Sequence, residues 1–92
     1  MNILVLVSGN GTNLQALIDA WKEGRLGEGK IAAVLSDRPG AYALDRARAA
    51  GIPALTAIPD KNLARPQRRK ELSLRILGVC RERRIGLVIH AG

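Results

Sequence analysis

The residues best placed to do chemistry lie near the start of the chain, in the run Ser8-Gly9-Asn10-Gly11-Thr12-Asn13-Leu14-Gln15. The two glycines carry no Cβ, so the backbone can bend sharply and come close to a ligand. Thr12 and Asn13 can add side-chain donors beside the backbone amides. The run therefore predicts an anion site, above all for a phosphate group; the alternative is a βα turn that binds no ligand.

The elements around this turn would hold it at a ligand-binding edge. Residues Ile3–Val7 form an apolar run typical of a strand buried on both faces of a parallel sheet. A helix is predicted to follow, and its apolar face carries Leu14, Leu17, Ile18 and Trp21. Thr12 and Gln15 have the spacing of a capping box, so the helix is predicted to begin at Thr12. Its first amides lack intrahelical partners, and the helix dipole adds about half a positive charge.

Alternating strand and helix patterns continue to the end of the chain. Further strands are predicted over 31–35, 54–58 and 87–90, and further helices over 41–50 and from Pro66 to about 84. The apolar stripe of the last helix is predicted to run through Leu72, Ile76 and Val79 or Cys80 to Arg83, with Leu74 and Leu77 widening it. This order predicts one α/β domain over residues 1–92, a Rossmann-like doubly wound parallel sheet of strand order 3-2-1-4 with helices on both faces. Strands one and four are then neighbours, so residues 9–13 and Gly92 would line one crevice.

Asp37 is a second candidate binding residue. An acidic residue after strand two holds ribose hydroxyls in dinucleotide-binding folds, but an aspartate here also suits a turn, which is the favoured interpretation. The dinucleotide fingerprint needs a third glycine where Leu14 stands, and the Gly-Lys-Ser/Thr of a P-loop does not occur. Among the later residues, Arg65 precedes a proline and is predicted to project from a loop. His90 is interpreted as a strand-end residue and Cys80 as a core residue.

Composition narrows the class of protein. The net charge of +7 comes entirely from residues 61–92, and the favoured interpretation is a solvated, arginine-rich helix face. Nucleic acid is the least favoured partner because no aromatic residue stands in this segment to stack on bases. One cysteine leaves no cysteine-cluster metal site, and we expect no metal. The chain shows no signal-peptide pattern or membrane span, so we expect a cytoplasmic protein with no membrane partner.

The run from Ser8 to Gln15 closely resembles the opening of the phosphoribosylglycinamide formyltransferase family, which reads Ser-Gly-x-Gly-Ser/Thr-Asn-Leu-Gln after a short apolar strand. The resemblance extends to Leu44-Asp45-Arg46-Ala47-Arg48 with the later Gly51, to Arg65 ahead of Glu71-Leu72, and to the terminal Ala91-Gly92. It covers the whole chain, which corresponds to the first half of a family member.

The resemblance implies transfer of a formyl group from 10-formyltetrahydrofolate to the amine of glycinamide ribonucleotide, in purine biosynthesis. Gly11, Thr12 and Asn13 would then bind the substrate phosphate, Gly92 would lie beside the reacting amine, and Arg65 would border the folate site. The basic segment, residues 61–84, would steer the acidic folate tail. The family's catalytic Asn, His and Asp lie beyond the equivalent of Gly92. The chain therefore holds no catalytic residue, and we expect no formyl transfer by residues 1–92 alone.

Three alternatives remain open. A non-catalytic nucleotide- or phosphate-binding Rossmann module is the runner-up, and an arginine-rich nucleic-acid-binding domain ranks below it. A related formyltetrahydrofolate enzyme with a similar N-terminal fold is the third. In the isolated chain of residues 1–92, strand four is an uncovered edge, which favours a homodimer through that edge.

Overall fold

The computed structural model describes every residue from Met1 to Gly92, and it confirms the predicted α/β fold. Its elements are β1 (Asn2–Val7), α1 (Thr12–Lys22), β2 (Lys30–Ser36), α2 (Tyr42–Ala49), β3 (Ala54–Thr56), α3 (Arg65–Glu82) and β4 (Ile85–His90). All strand pairs are parallel, and the sheet order is β3-β2-β1-β4. No helix combines the length and the apolar character that crossing a membrane would need.

Helices cover both faces of the sheet, as predicted. Successive side chains of β1 point to opposite faces, so its apolar run feeds two separate cores. One core joins β1 to α1 and α2, through Ile3, Val5, Val7, Leu14, Ile18 and Leu44. The other joins it to α3, through Leu4, Leu6, Leu72, Ile76, Val79 and Cys80. Because β1 is buried from both sides, the turn that follows it is anchored to the centre of the molecule.

The start of α1 is confirmed at Thr12, but the predicted capping box is wrong. Gly11 is the N-cap residue, with φ 79° and ψ 27°, and no side chain caps the helix. The Gln15 side chain instead donates to Asp19 and accepts a hydrogen bond from Arg46. Since the cap residue is a glycine in the left-handed region, it has no side chain to offer the first-turn amides.

Helix α3 differs from its prediction in two respects. Arg65 is its first residue, with Ala64 as the extended N-cap (φ −64°, ψ 158°), so Arg65 does not project from a loop as predicted. The loss of the Pro66 N–H costs nothing in a first turn. Leu74 and Leu77 are 59% and 52% exposed, so their predicted place on the apolar stripe is also wrong.

The segments that follow β1 and β4, which line the predicted crevice, lie side by side as the strand order requires. The Ala91 amide donates to the Leu6 carbonyl oxygen at 2.9 Å, which extends the pairing of β4 with β1. The Ser8 amide and the Ser8 hydroxyl then both donate to the Gly92 carbonyl oxygen, at 2.8 Å and 2.7 Å. The turn after β1 and the residue after β4 are therefore held together at the carboxyl edge of the sheet.

Candidate functional site

Residues 8–13, which we call the glycine loop, present a row of open donors. None of the amide N–H groups from Gly9 to Asn13 donates to a protein acceptor, and the first bond of the helical ladder runs from the Gln15 amide to the Gly11 carbonyl oxygen at 2.8 Å. Thr12 and Asn13 are exposed beside these amides. Because the α1 dipole adds positive potential at the same place, the loop can bind an anion through its backbone.

The carbonyl groups of Gly9 and Asn10 point toward α2. The Ala43 amide, in the first turn of α2, donates to the Gly9 carbonyl oxygen at 3.2 Å. The Arg46 Nε group donates to the Asn10 carbonyl oxygen at 2.8 Å. Two carbonyl groups of the loop therefore bond to α2, while the amides from Gly9 to Asn13 remain open to a ligand.

Gly11 is required by packing against α2 as well as by its conformation. A Cβ at this position would lie 2.6 Å from Ala43 Cβ and 2.7 Å from Ala43 Cα, in a residue whose φ is 79°. Sequence reasoning assigned both glycines to close phosphate approach and missed this contact. The alanine-rich pattern of α2 is the signal that points to it. A Cβ at Gly9, by contrast, would have no atom within 4 Å.

The structure brings four of the five predicted site residues together. Gly11, Thr12 and Asn13 open α1, and a Cβ placed on Gly92 would lie 3.9 Å from Asn13 Nδ2. Arg65 stands apart from them, at the start of α3. The predicted site is thus two places: an amide-lined one at the glycine loop and an arginine-lined one at α3.

An apolar cleft of about 240 Å³ lies between these two places. It follows the carboxyl ends of β1, β2 and β4 beneath α3, and its lining residues are Leu6, Val7, Ser8, Leu35, Asp37, Leu72, Ile76, His90 and Gly92. Ser36 Oγ, rather than the Asp37 carboxylate, accepts the hydrogen bond that closes the turn after β2, from the Arg38 amide at 3.0 Å. Asp37 follows β2 at this turn and lines the cleft, and its carboxylate does not accept the bond from the Arg38 amide.

A second cleft, of about 440 Å³, is strongly basic, and we call it the basic cleft. Five of its lining side chains are cationic: Arg38, Lys61, Arg65, Arg68 and Arg69. None of the five takes part in an ion pair, since the ion pairs of the chain all lie elsewhere. The Arg68 Nε atom is buried and has no hydrogen-bond partner. Asp37 and Leu72 line both clefts, so the two adjoin.

Comparisons with known proteins agree with this architecture. The chain is 53% identical over 58 residues to the phosphoribosylglycinamide formyltransferase of Escherichia coli, a match that covers 63% of this chain and 27% of the relative. It superimposes on a crystal structure of glycinamide ribonucleotide transformylase 1 from Symbiobacterium toebii with a TM-score of 0.86 and 40% identity, over 100% of this chain and 41% of that one.

A structure with a different name matches nearly as well. A formyltetrahydrofolate deformylase from Pseudomonas putida superimposes with a TM-score of 0.82 and 26% identity, over 98% of this chain and 30% of that one. The chain therefore spans less than half the length of each of these relatives. The family model described as formyl transferase matches residues 1–92. The resemblance seen in the sequence is confirmed, and the chain belongs to the formyl transferase family.

Proposed function

We propose that residues 1–92 are the substrate-phosphate-binding half of a cytoplasmic enzyme of purine biosynthesis. The reaction is transfer of a formyl group from 10-formyltetrahydrofolate to the amine of glycinamide ribonucleotide. The observation that carries the proposal is the row of open amides from Gly9 to Asn13, beside Gly92. The names of the relatives support the choice of substrate.

The glycine loop suits the phosphate monoester of such a substrate. A phosphate offers several strong acceptor oxygens, and the open backbone amides of the loop are donors. The Asn13 side chain lies within reach of Gly92, so a ligand anchored on the loop would extend over the end of β4. Gly11, Thr12 and Asn13 bind the phosphate in this proposal, and Gly92 borders the amine.

The basic cleft is proposed to receive the folate. The tail of a folate ends in carboxylates, which Arg65 and the other four unpaired cations of the cleft would attract. Because Asp37 and Leu72 border both clefts, a folate there and a ribonucleotide on the glycine loop would approach each other above the sheet edge. In the reaction the amine attacks the formyl carbon and an oxyanion develops. The amine loses a proton, the bond from the formyl carbon to N10 of the folate breaks, and the departing nitrogen takes up a proton. We place the groups for these steps outside residues 1–92.

The open edge of β4 is proposed to associate with a second copy of the chain. β4 is the last strand of the sheet order and pairs only with β1. Leu87 and Val88 are 42% and 39% exposed there. Unpaired backbone groups beside exposed apolar side chains favour strand pairing between copies.

The phosphate site is tested by calorimetric titration of glycinamide ribonucleotide and of its dephosphorylated riboside. We expect binding of the ribonucleotide only, and at least about a tenfold weaker affinity in Asn13→Asp, since a carboxylate would repel the phosphate. The first turn of α1 has no acidic residue, so this change should stabilise the helix by roughly 0.3–1 kcal/mol. Lost binding in a more stable protein could not be due to unfolding.

Asn62→Asp is the matched control, because it makes the same chemical change at an exposed loop residue away from the glycine loop. Its affinity for the ribonucleotide should equal that of the unmodified chain. Equal affinities for ribonucleotide and riboside would refute a phosphate site on the loop.

The second candidate is a nucleotide-binding module without catalysis, and the position of Asp37 favours it. Its carboxylate lies at the carboxyl end of β2, where dinucleotide-binding folds hold a ribose. NAD titration decides between the two. NAD binding that disappears in Asp37→Asn, with no binding of glycinamide ribonucleotide, would establish the module and overturn the formyltransferase proposal.

A further inference from the structure

Arg46 of α2 connects three parts of the molecule around the glycine loop. Its Nε group donates to the Asn10 carbonyl oxygen at 2.8 Å, and its Nη1 group donates to Gln15 Oε1 of α1 at 3.2 Å. Its guanidinium carbon stacks 4.9 Å from the centre of the Tyr42 ring. The side chain is half-buried. A guanidinium held at this many points has little freedom to leave the loop.

These contacts decide which way the loop amides face. A trans peptide is planar, so its N–H points opposite to its carbonyl oxygen. With the carbonyl groups of Gly9 and Asn10 turned toward α2, the N–H groups of Asn10 and Gly11 must point away from it. The bonds from α2 to these carbonyl oxygens therefore determine which side of the loop carries the open amides.

The hydrogen bond from Arg46 to the Asn10 carbonyl oxygen is short and charge-assisted. Fixing the backbone of a loop costs conformational entropy, and the amides from Gly9 to Asn13 make no bond of their own that would offset this cost. The second anchor, from the Ala43 amide, is longer at 3.2 Å. A charged donor stabilises a hydrogen bond more than a neutral one does.

We infer that Arg46 is a positioning residue for the phosphate site: it holds the glycine loop with its amides directed outward before the ligand arrives. The inference rests on the proposed function for the identity of the ligand. Arg46 acts through the Asn10 carbonyl group and does not touch the phosphate. The bond that matters for this role is the one from Nε to Asn10; the one to Gln15 ties α2 to α1.

The test compares Arg46→Gln and Arg46→Lys with Arg48→Gln. Arg48 lies on the same helix, is exposed, and pairs with Asp45 without reaching the loop, so it is the matched control. Titrations use glycinamide ribonucleotide and inorganic phosphate, and two-dimensional NMR follows the amide signals of residues 9–13 without ligand. A urea unfolding curve for each variant shows that it is folded.

Arg46→Gln is expected to weaken binding of both ligands about tenfold, the effect of losing one charge-assisted bond. The Asn10 and Gly11 amide signals should shift or broaden without ligand, which a role in tying α1 to α2 alone would not cause. Arg46→Lys, which keeps a charged donor but loses the two-nitrogen geometry, should recover part of the affinity and is the variant to read if Arg46→Gln does not fold. Arg48→Gln should change neither measurement.

Two results separate this inference from the proposed function. If the unmodified chain binds the ribonucleotide and Arg46→Gln and Arg46→Lys bind it equally well with unchanged loop signals, Arg46 has no positioning role and the phosphate site stands. If the unmodified chain binds inorganic phosphate but not the ribonucleotide, the proposed function fails. The phosphate affinities and the loop signals of the variants then still decide the role of Arg46.

Discussion

Gly9 and Gly11 have different surroundings, although both belong to the glycine loop. A Cβ on Gly11 would meet the backbone of α2 at 2.7 Å, whereas a Cβ on Gly9 would project into open space. Only Gly11 has a positive φ among the glycines of the loop. The first glycine is therefore free to serve ligand approach, and the second joins the loop to α2.

Replacing each glycine with alanine should separate these two roles. Gly11→Ala combines overpacking with an alanine in the left-handed region, so we expect it to lower the free energy of unfolding by about 2–4 kcal/mol. Gly9→Ala should leave the free energy of unfolding within about 0.5 kcal/mol. Urea unfolding of both variants measures the difference. Equal stability in the two variants would show that α2 yields to the added methyl group.

Arg46 shows why the orientation of the loop escapes sequence reasoning. The apolar run Ile3–Val7 predicted the strand, the two glycines predicted the turn, and the residues from Thr12 onward predicted the helix start, because each of these depends on near neighbours. The bond from Arg46 to Asn10 crosses 36 residues of sequence. No local pattern encodes such a contact. Sequence reasoning therefore predicted the turn and the start of the helix but did not find the contact between Arg46 and Asn10.

At the scale of elements, α3 separates what periodicity predicts from what it does not. Leu72, Ile76 and Val79 pack against the sheet as their spacing predicted. Leu74 was assigned to the same stripe, but each helical residue turns about 100°, so Leu74 lies about 200° from Leu72, on the solvent side. The helical period thus explains both why the stripe was predicted correctly and why Leu74 lies outside it.

The sheet order and the packing of helices on both faces were predictable from the pattern of strands and helices along the chain. Each of the four strands has an apolar run, and alternation with helices leaves few parallel arrangements of right-handed crossovers. The basic cleft was not predictable in the same way. It brings Arg38, after β2, next to three arginines of α3, and only the packing of α3 over the sheet edge creates that proximity.

The N-terminal part of α3 yields a prediction about charge. Arg68 and Arg69 line the basic cleft, whereas Lys70 on the same turn does not. Replacing both arginines with glutamine should weaken binding of a polyglutamylated folate at low salt by roughly two- to tenfold, the effect of removing solvent-screened charges. Lys70→Gln is the matched control and should have little effect. Titration calorimetry at low and high salt measures both.

The salt dependence is the informative part of that experiment. Screening should reduce the difference between the double variant and the unmodified chain as salt rises, because the lost attraction is electrostatic. If Lys70→Gln weakens folate binding as much as the arginine pair does, the attraction comes from the overall basic charge of the segment and not from the cleft.

At the scale of the whole molecule, an open apolar edge and a large positive charge oppose each other. β4 leaves one side without a strand partner, beside the exposed Leu87 and Val88. The net charge of +7 makes two copies of the chain repel each other. Whether two β4 edges pair depends on which effect is larger, and salt weakens only the repulsion between the charged chains.

We therefore expect residues 1–92 to self-associate through β4, more strongly at about 0.5 M salt than at about 0.05 M, where the screening length is several times greater. Light scattering at both salt concentrations measures this. Val88→Lys places a charge on the open edge and should restore the monomer, whereas Thr56→Lys, an exposed residue of β3 at the opposite edge, should not. A monodisperse monomer of the unmodified chain at both salt concentrations would contradict association through the edge. Equal dissociation by the two lysine variants would indicate that added charge, and not the β4 edge, controls assembly.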